Sequence, residues 1–169
     1  MTILQVKSLE KSYTSNNKKF SVLKNLDFKI NQGEIVSIMG ESGSGKSTLL
    51  NSIGLLHSID KGEIYLQNLL ISGMDKIESI RVKAFGFLFQ FHHLLSDFTV
   101  LENLIIPQIL VNKSKIHSKE WAEELLNSIG LFEISDKYPK YLSGGERQRI
   151  AFLRSVINKP LVVLADEPT

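Results

Sequence analysis

The chain has 169 residues, 43% hydrophobic and 22% charged, which is the composition of an ordinary folded domain with a core of its own. The absence of cysteine excludes a disulfide framework, a thiolate zinc site and a thiol nucleophile. A net charge of +2 does not indicate nucleic-acid binding, and no apolar run approaches the roughly 18 residues of a membrane span. Residues 1–9 alternate between polar and apolar instead of forming the apolar stretch of a signal peptide, so we expect a cytosolic chain.

The first elements along the chain are predicted to be strands. Polar and apolar residues alternate in residues 4–8 and again in 22–30, with a polar turn at 15–19 between them. This pattern predicts an antiparallel β region at the N-terminus.

A strand, a loop and a helix are predicted next. Ile35–Met39 has the pattern of a short buried strand, and the glycine-rich segment Gly40–Gly45 follows it. A helix is predicted from Lys46 to about Leu56, and further strands at 62–66 and 86–89.

The chain becomes helical over residues 99–157. Thr99-x-x-Glu102 and Ser143-x-x-Glu146 are capping boxes that each precede an apolar run. Ser118 is the predicted cap of a helix that Gly130 closes. Strands, then helices, then a final buried strand predict an α/β core with a helical insertion.

The loop Gly40-Glu41-Ser42-Gly43-Ser44-Gly45-Lys46-Ser47 fits the phosphate-binding pattern G-x-x-x-x-G-K-[ST], between a predicted strand and a predicted helix. Glycines let backbone N–H groups approach phosphate oxygens, and the helix adds its positive end. Lys46 would reach the β- and γ-phosphates, and the Ser47 hydroxyl would bind Mg²⁺. A plain glycine-rich turn is the alternative, but such a match arises by chance in roughly one chain of this length in a hundred or fewer.

A second chemical feature is the acidic end of the last strand. Leu161–Ala165 is a continuous apolar run, which predicts a parallel strand buried on both faces, and it leads into Asp166 and Glu167. In proteins with a phosphate loop, an acid at this point holds Mg²⁺, and a neighbouring carboxylate can accept a proton from the attacking water. Alone, these acids could simply mark where a buried strand meets solvent.

The segment Leu142-Ser143-Gly144-Gly145-Glu146-Arg147-Gln148-Arg149 begins a predicted helix. Capping explains Ser143 and Glu146, but it does not require two glycines in the first turn, each of which costs about 1 kcal/mol relative to alanine. A bare helix start allows phosphate to approach the backbone, which predicts a second anion site at Ser143–Gly145. One nucleotide is not expected to reach both sites in one chain, so we expect a head-to-tail pair of chains.

Four motifs occur in a fixed order: the phosphate loop, Phe87-Leu88-Phe89-Gln90, the helix start at 142–149, and a strand running into Asp166-Glu167-Pro168-Thr169. This order resembles the ATP-binding subunits of ABC transporters over essentially the whole chain. Within that family, residues 89–95 and 98–103 are most similar to the lipoprotein-releasing ATPases, with the macrolide-exporter and cell-division ATPases as near relatives.

The resemblance implies ATP and Mg²⁺ as cofactors and assigns roles to matching residues. Lys46, Ser47 and Thr48 would bind phosphates and Mg²⁺, and Tyr13 would stack on adenine. Gln90 would contact the Mg²⁺ or the attacking water and respond to the membrane partner. Ser143, Gly144 and Gly145 would meet the γ-phosphate held by the opposite protomer. Asp166 would hold Mg²⁺, and Glu167 would polarise the water.

The resemblance also implies integral membrane subunits as partners, and a position on the cytoplasmic face of the bacterial inner membrane. Four apolar residues follow Gln90, namely Phe91, Leu94, Leu95 and Phe98. They could pack the helical subdomain, or they could form a groove for a cytoplasmic helix of the membrane subunit. His92 and His93 are adjacent but lack a third ligand, so no metal site is expected there.

The expected domain is an ABC ATPase of residues 1–169, with a nucleotide-binding core at 1–90 and 158–169 and a helical subdomain at 91–157. The family continues beyond the position of Thr169 with an Asp-containing loop, another strand and a switch histidine. We therefore expect a fragment, incomplete at the C-terminus, that binds Mg·ATP weakly and hydrolyses it slowly. The alternatives are a non-hydrolytic assembly module and a DNA-remodelling relative; the chain lacks the coiled coil of the latter, and no nucleic acid is expected as a partner.

Overall fold

The computed structural model describes residues 1–167. The chain divides into two compact units, the first from Met1 to Arg81 and the second beginning at Val82. The division into a nucleotide-binding core and a helical subdomain stays a prediction. Pro168 and Thr169, the end of the acidic motif, lie outside the described residues.

The first unit contains a four-stranded antiparallel sheet, which confirms the predicted antiparallel β region at the N-terminus. Its strands are β1 (Thr2–Ser15), β2 (Lys18–Asn31), β3 (Lys61–Leu66) and β4 (Leu69–Leu70), in the order β2-β1-β3-β4. The turn between β1 and β2 consists of two asparagines with φ of +49° and +59°, a backbone that asparagine tolerates better than most residues. The polar turn therefore fixes the register of the hairpin.

Helix α1 (Lys46–Ile53) packs against β2, and helix α2 (Ile77–Ala84) crosses the boundary between the two units along the chain. Helix α1 begins where the sequence predicts but ends three residues earlier. Helix α2 was not among the predicted elements, and Ala84 is the only one of its eight residues that is buried. The buried apolar residues of the first unit are Ile3, Leu4, Val6, Leu9, Leu23, Ile53, Leu55, Ile64, Leu66 and Ile71.

The predicted buried strand at Ile35–Met39 is wrong. The segment has no regular secondary structure, and Ile35 is 96% exposed and Met39 90% exposed. A strand needs a neighbour to accept its backbone hydrogen bonds. The four strands of the first unit do not pair with this segment, so its apolar composition alone does not make it a strand.

The second unit contains two parallel strands, β5 (Phe85–Leu88) and β6 (Val162–Ala165). Parallel pairing of the last strand confirms that prediction. Burial of β6 on both faces is wrong, since Leu164 is its only buried residue. Within residues 1–167, β6 pairs with β5 alone, and a parallel strand is buried only where both faces are covered.

Three longer helices surround the core of the second unit: α3 (Val100–Leu110), α4 (Lys115–Ser128) and α5 (Gly144–Val156). Short 3-10 turns at Phe132–Ile134 and Pro139–Tyr141 connect α4 to α5. The core that these elements share consists of Val100, Leu104, Ile105, Ala122, Leu126, Leu131, Ile134, Leu142, Ile150, Leu153 and Ile157.

Both predicted capping boxes are present, at Thr99 and at Ser143. The cap predicted at Ser118 is wrong, because α4 begins one turn earlier. The Ser114 hydroxyl accepts a hydrogen bond from the His117 N–H, and Ser118 is buried inside the helix with its own N–H bonded to the Ser114 carbonyl.

Helix α5 lies so close to β5 that no side chain fits at Gly86. A methyl group at this position would lie 1.9 Å from the Ser155 carbonyl oxygen and 3.0 Å from Pro160 Cγ. Because the nearest atom belongs to the backbone, only movement of the helix could relieve the clash.

We expect Gly86→Ala to lower the free energy of unfolding by about 2–3 kcal/mol through overpacking, measured as a shift of the urea midpoint. Gly144→Ala is the matched control, since nothing lies within 4 Å of a methyl group there, and it should leave stability unchanged or slightly higher. Equal losses in the two variants would contradict this account.

Candidate functional site

The phosphate loop of the first unit packs directly on the sheet. Gly45 has φ of +97°, and a methyl group built on it would lie 2.7 Å from Val22 Cγ1 on β2. Gly43 also has a positive φ, of +79°. Glycine at these two positions therefore has a structural reason, since a side chain would strain the backbone at both and also clash at Gly45.

The Lys46 ammonium lies over the beginning of its own loop. Its Nζ donates hydrogen bonds to the carbonyl oxygens of Gly40 and Glu41, both at 2.9 Å. An ammonium group has three donors, so one remains for a ligand. The loop thus closes around a positive charge before any ligand is bound.

The first turn of α1 lacks the side-chain cap that begins each of the three longer helices. Helices α3, α4 and α5 each begin with a serine or threonine hydroxyl cap, whereas α1 begins at Gly45 without a side-chain cap and has no acid in its first turn. The first N–H groups of a helix have no partner within it. This end therefore suits an anion, with the exposed Ser47 and the half-buried Thr48 beside it.

Tyr13 lies near this loop on the neighbouring strand. Val22 on β2 contacts Gly45. Its two neighbours on β2 pair with β1: Leu23 pairs with Lys11, and Ser21 pairs with Ser12. Tyr13 follows these residues, within about 7 Å along the strand. The Tyr13 hydroxyl shares a hydrogen bond of 3.1 Å with His57 Nδ1.

Three predicted residues of the second unit meet at the carboxyl ends of β5 and β6. The Asp166 N–H donates to the Leu88 carbonyl at 2.9 Å, which extends the pairing of the strands beyond β6. Gln90 follows β5, and its Nε2 donates to Glu167 Oε2 at 2.5 Å. In parallel sheets this edge is where ligands bind.

The start of α5 carries a tightly bonded capping box. Glu146 Oε2 accepts hydrogen bonds from the Ser143 hydroxyl at 2.6 Å and from the Ser143 N–H at 2.7 Å. These bonds, the hydroxyl one above all, lower the pKa of the Glu146 carboxyl. The Ser143 side chain is therefore already oriented at the helix start.

The two glycines after Ser143 have no structural reason within the described chain. A methyl group at Gly144 would meet nothing within 4 Å, and one at Gly145 would meet only Arg149 Nη1 at 4.0 Å. Neither residue has a positive φ. A cleft of about 390 Å³ adjoins this helix start, lined by Leu88, Gly145, Gln148, Arg149, Phe152, Val163 and Ala165.

The segment after Gln90 is held by two side chains that the sequence did not single out. Arg154 on α5 donates to the His93 carbonyl at 2.7 Å and to the His92 carbonyl at 2.8 Å. Burial lowers the pKa of the Arg154 guanidinium, a group that stays charged at neutral pH. Asn103 is fully buried; its Nδ2 lies 2.9–3.1 Å from three carbonyl oxygens, which share its two hydrogens, and its Oδ1 accepts from the Leu95 N–H.

These bonds separate the four apolar residues of the segment. Phe91 is 75% exposed, and Leu95 and Phe98 are also exposed, whereas Leu94 packs against the helical core. Core packing is therefore observed for Leu94, and a groove formed by the other three residues stays a prediction. Asn103 ends the segment 98–103 that carries the resemblance, but the sequence does not indicate its structural role or that of Arg154, because polar residues in helices look like ordinary surface residues.

A sequence profile of the ABC transporter family matches residues 23–169. The chain belongs to the ABC transporter family. The lipoprotein-releasing system ATP-binding protein LolD of Idiomarina loihiensis is 45% identical over 99% of this chain and 74% of its own length. The LolD protein of Treponema denticola is 44% identical over 99% of this chain and 75% of its own length.

A solved structure of similar fold is a dimeric ATP-binding cassette, MJ0796, in a post-hydrolysis state bound to ADP and Pi. Its TM-score is 0.90 at 38% identity, covering 99% of this chain and 75% of that one. These matches confirm the resemblance and the α/β fold of an ABC ATPase. Among residues 1–167, none of the helices has the length and apolar character needed to cross a bilayer.

We expect Asn103→Leu to loosen residues 95–99, because the side chain keeps its branched shape but loses every hydrogen bond of the amide and leaves buried backbone groups unpaired. Hydrogen exchange of peptides spanning 91–99 should accelerate at least tenfold, while peptides from β1 should not change. Asn127→Ala is the control, since the Asn127 side chain donates one bond to the Glu123 carbonyl on the helix surface. Unchanged exchange in Asn103→Leu would contradict the role given to this residue.

We expect Ser143→Ala to raise the pKa of Glu146 towards that of an ordinary glutamate, measured by NMR titration of its carboxyl carbon. Because the pKa of Glu146 is lower in the folded state than in the unfolded state, its ionised carboxylate stabilises the helix start at pH values above the ordinary pKa of a glutamate. This stabilisation is lost as the pH falls through the lowered pKa of the folded state. Ser128→Ala, which removes an unrelated hydroxyl, should leave the titration of Glu146 unchanged. An identical titration in wild type and Ser143→Ala would refute the assigned cause.

Proposed function

We propose that this chain is the ATP-binding and hydrolysing subunit of an ABC complex that releases lipoproteins from the bacterial inner membrane. The family supports ATP binding, and the LolD relatives, 44–45% identical over nearly the whole chain, support the lipoprotein-releasing system. The observation that carries nucleotide binding is the Lys46 ammonium, held by the carbonyls of its own loop at the uncapped start of α1.

Residues 40–48 would bind the phosphates of ATP. Backbone N–H groups of the loop and of the first turn of α1 would meet phosphate oxygens, and the remaining Lys46 donor would reach the β- and γ-phosphates. Tyr13 would stack on the adenine. Both ends of the nucleotide would thus be bound by the first unit.

Ser47, Gln90 and Asp166 are the proposed Mg²⁺ ligands. They offer hydroxyl, amide and carboxylate oxygens, the hard ligands that Mg²⁺ prefers, so the donor set fits this ion. When bound, Mg²⁺ neutralises charge that develops on the transferred phosphoryl group.

Glu167 is the proposed residue that polarises the attacking water, and Gln90 would regulate it. The Gln90 amide donates to the Glu167 carboxylate, which occupies one of the oxygens that could accept a proton. A partner that moved Gln90 would release that oxygen. Through this hydrogen bond, a membrane subunit that moved Gln90 would control the ability of Glu167 to accept a proton.

The start of α5 would contact a nucleotide held by a second copy of the chain. Gly144 and Gly145 are unobstructed, and Ser143 is fixed by Glu146. No contact within the described chain requires glycine at these two positions, and an anion that approaches the helix start from another chain would explain them. The MJ0796 cassette, dimeric with bound ADP and Pi, supports pairing of this kind.

Phe91, Leu95 and Phe98 are the proposed contacts for an integral membrane subunit near Gln90. Their side chains are exposed although large and apolar, which is typical of an interaction surface. Arg154 and Asn103 would keep the segment in a conformation ready for docking. Docking would place the chain on the cytoplasmic face of the membrane.

Lys46→Ala should weaken binding of Mg·ATP by about 10–100-fold, because a charge-assisted hydrogen bond to phosphate is lost. Isothermal calorimetry on the 169-residue chain measures this directly. Lys76→Ala, which removes an exposed lysine elsewhere in the first unit, should bind as the wild type does. Equal affinities of Lys46→Ala and wild type would overturn the nucleotide site.

Hydrolysis is tested in the assembled membrane complex with Glu167→Gln. Loss of a general base should lower turnover by roughly 10²–10⁴-fold, while ATP binding is retained. A non-hydrolytic assembly module would show little change in either quantity.

A further inference from the structure

The Tyr13 ring is oriented by contacts on its edge. Its hydroxyl shares a hydrogen bond of 3.1 Å with His57 Nδ1, and the two rings meet edge to face, with centroids 6.3 Å apart and an interplanar angle of 83°. A phenol ring on an exposed strand would otherwise change rotamer freely. The histidine restricts this freedom at the tip of the side chain.

A buried lysine covers one face of the same ring. Lys11 Nζ lies 5.3 Å from the Tyr13 centroid, and it is held 3.8 Å from an Asp60 carboxylate oxygen. Asp60 also accepts a hydrogen bond from the Ser12 N–H at 2.9 Å. Tyr13 nevertheless stays 39% exposed, so part of the residue remains accessible to a planar ligand.

The histidine is connected to the phosphate loop through one short helix. Helix α1 begins in the loop, and its chain continues through two turns into His57, whose N–H bonds to the Asn51 carbonyl at 3.2 Å. Eight helical residues span about 12 Å. Helix α1 therefore sets the distance between His57, which bonds to Tyr13, and the N–H groups of the phosphate loop.

We propose that His57, assisted by Lys11, is a positioning residue that holds the Tyr13 ring as a platform for the purine base of the bound nucleotide. This inference rests on the proposed nucleotide site and extends it. Binding of the base gains from a platform that is already ordered, because less rotamer entropy is lost when the complex forms. His57 itself touches the tyrosine and acts through it.

The inference is tested with a ligand that has phosphates and no base. Calorimetry compares Mg·ATP with Mg·tripolyphosphate on the 169-residue chain, in wild type, His57→Ala, Tyr13→Ala and the double variant. His57→Asn keeps a hydrogen-bonding atom close to the position of Nδ1. His117→Ala is the matched control, since the His117 ring also bonds a hydroxyl, that of Ser114, at 2.9 Å in the second unit.

We expect His57→Ala to weaken Mg·ATP binding about 3–10-fold, the effect of one hydrogen bond, and to leave tripolyphosphate binding unchanged. Tyr13→Ala should weaken Mg·ATP more, and adding His57→Ala to it should have no further effect. His57→Asn should restore most of the affinity, and His117→Ala should match the wild type.

Two results would overturn the inference while leaving the nucleotide site intact. One is equal weakening of ATP and tripolyphosphate by His57→Ala, which would show a general structural role. The other is an undiminished effect of His57→Ala when Tyr13 is already removed. Failure of both ligands to bind the wild-type chain would instead refute the proposed function, and this inference with it.

Discussion

The contact of Gly45 with Val22 is the constraint on which the first unit depends. It brings the end of the phosphate loop onto the sheet with no room for a side chain, and it sets where α1 starts. From that point the loop turns back so that two of its carbonyls hold Lys46. The positive φ at Gly45 permits this approach, because a residue with a Cβ would be strained there as well as obstructed.

The helices of this chain begin in two chemically different ways. Where a helix serves packing, a hydroxyl and in two cases a glutamate satisfy its first N–H groups. Helix α1 has no such cap, which leaves its N–H groups for an external anion. Helix α5 combines both: Ser143 and Glu146 cap it, yet Gly144 and Gly145 leave its surface bare. Capping and anion binding are therefore compatible at one helix start.

In the segment after β5, buried polar side chains hold the backbone that carries the exposed apolar residues. Asn103 and Arg154 bind carbonyls of residues 92–99, and Thr99, the last residue of this range, caps α3. The exposed Phe91 is therefore followed directly by two residues whose carbonyls are hydrogen bonded to Arg154. A rigid surface loses less conformational entropy when a partner binds.

The sequence by itself determined the motifs, the antiparallel N-terminal sheet, both capping boxes and the parallel last strand. These features depend on short spacings: a glycine pattern, an alternation, or a hydroxyl three residues before a glutamate. The sequence also identified Lys46, Gln90 and Glu167 as candidate residues, although it gave no sign that Gln90 and Glu167 would be hydrogen bonded to each other.

Only the tertiary structure decided what depends on partners distant in the chain. Ile35–Met39 has the composition of a strand but finds no pairing partner among residues 1–167, and β6 has an apolar sequence but only one buried residue. His57 and Arg154 acquire their roles from residues 44 to 62 positions away, and Asn103 from backbone groups 4 to 8 positions before it. Hydrogen bonding and burial are properties of pairs of segments, and the order of residues along one segment does not specify its partner.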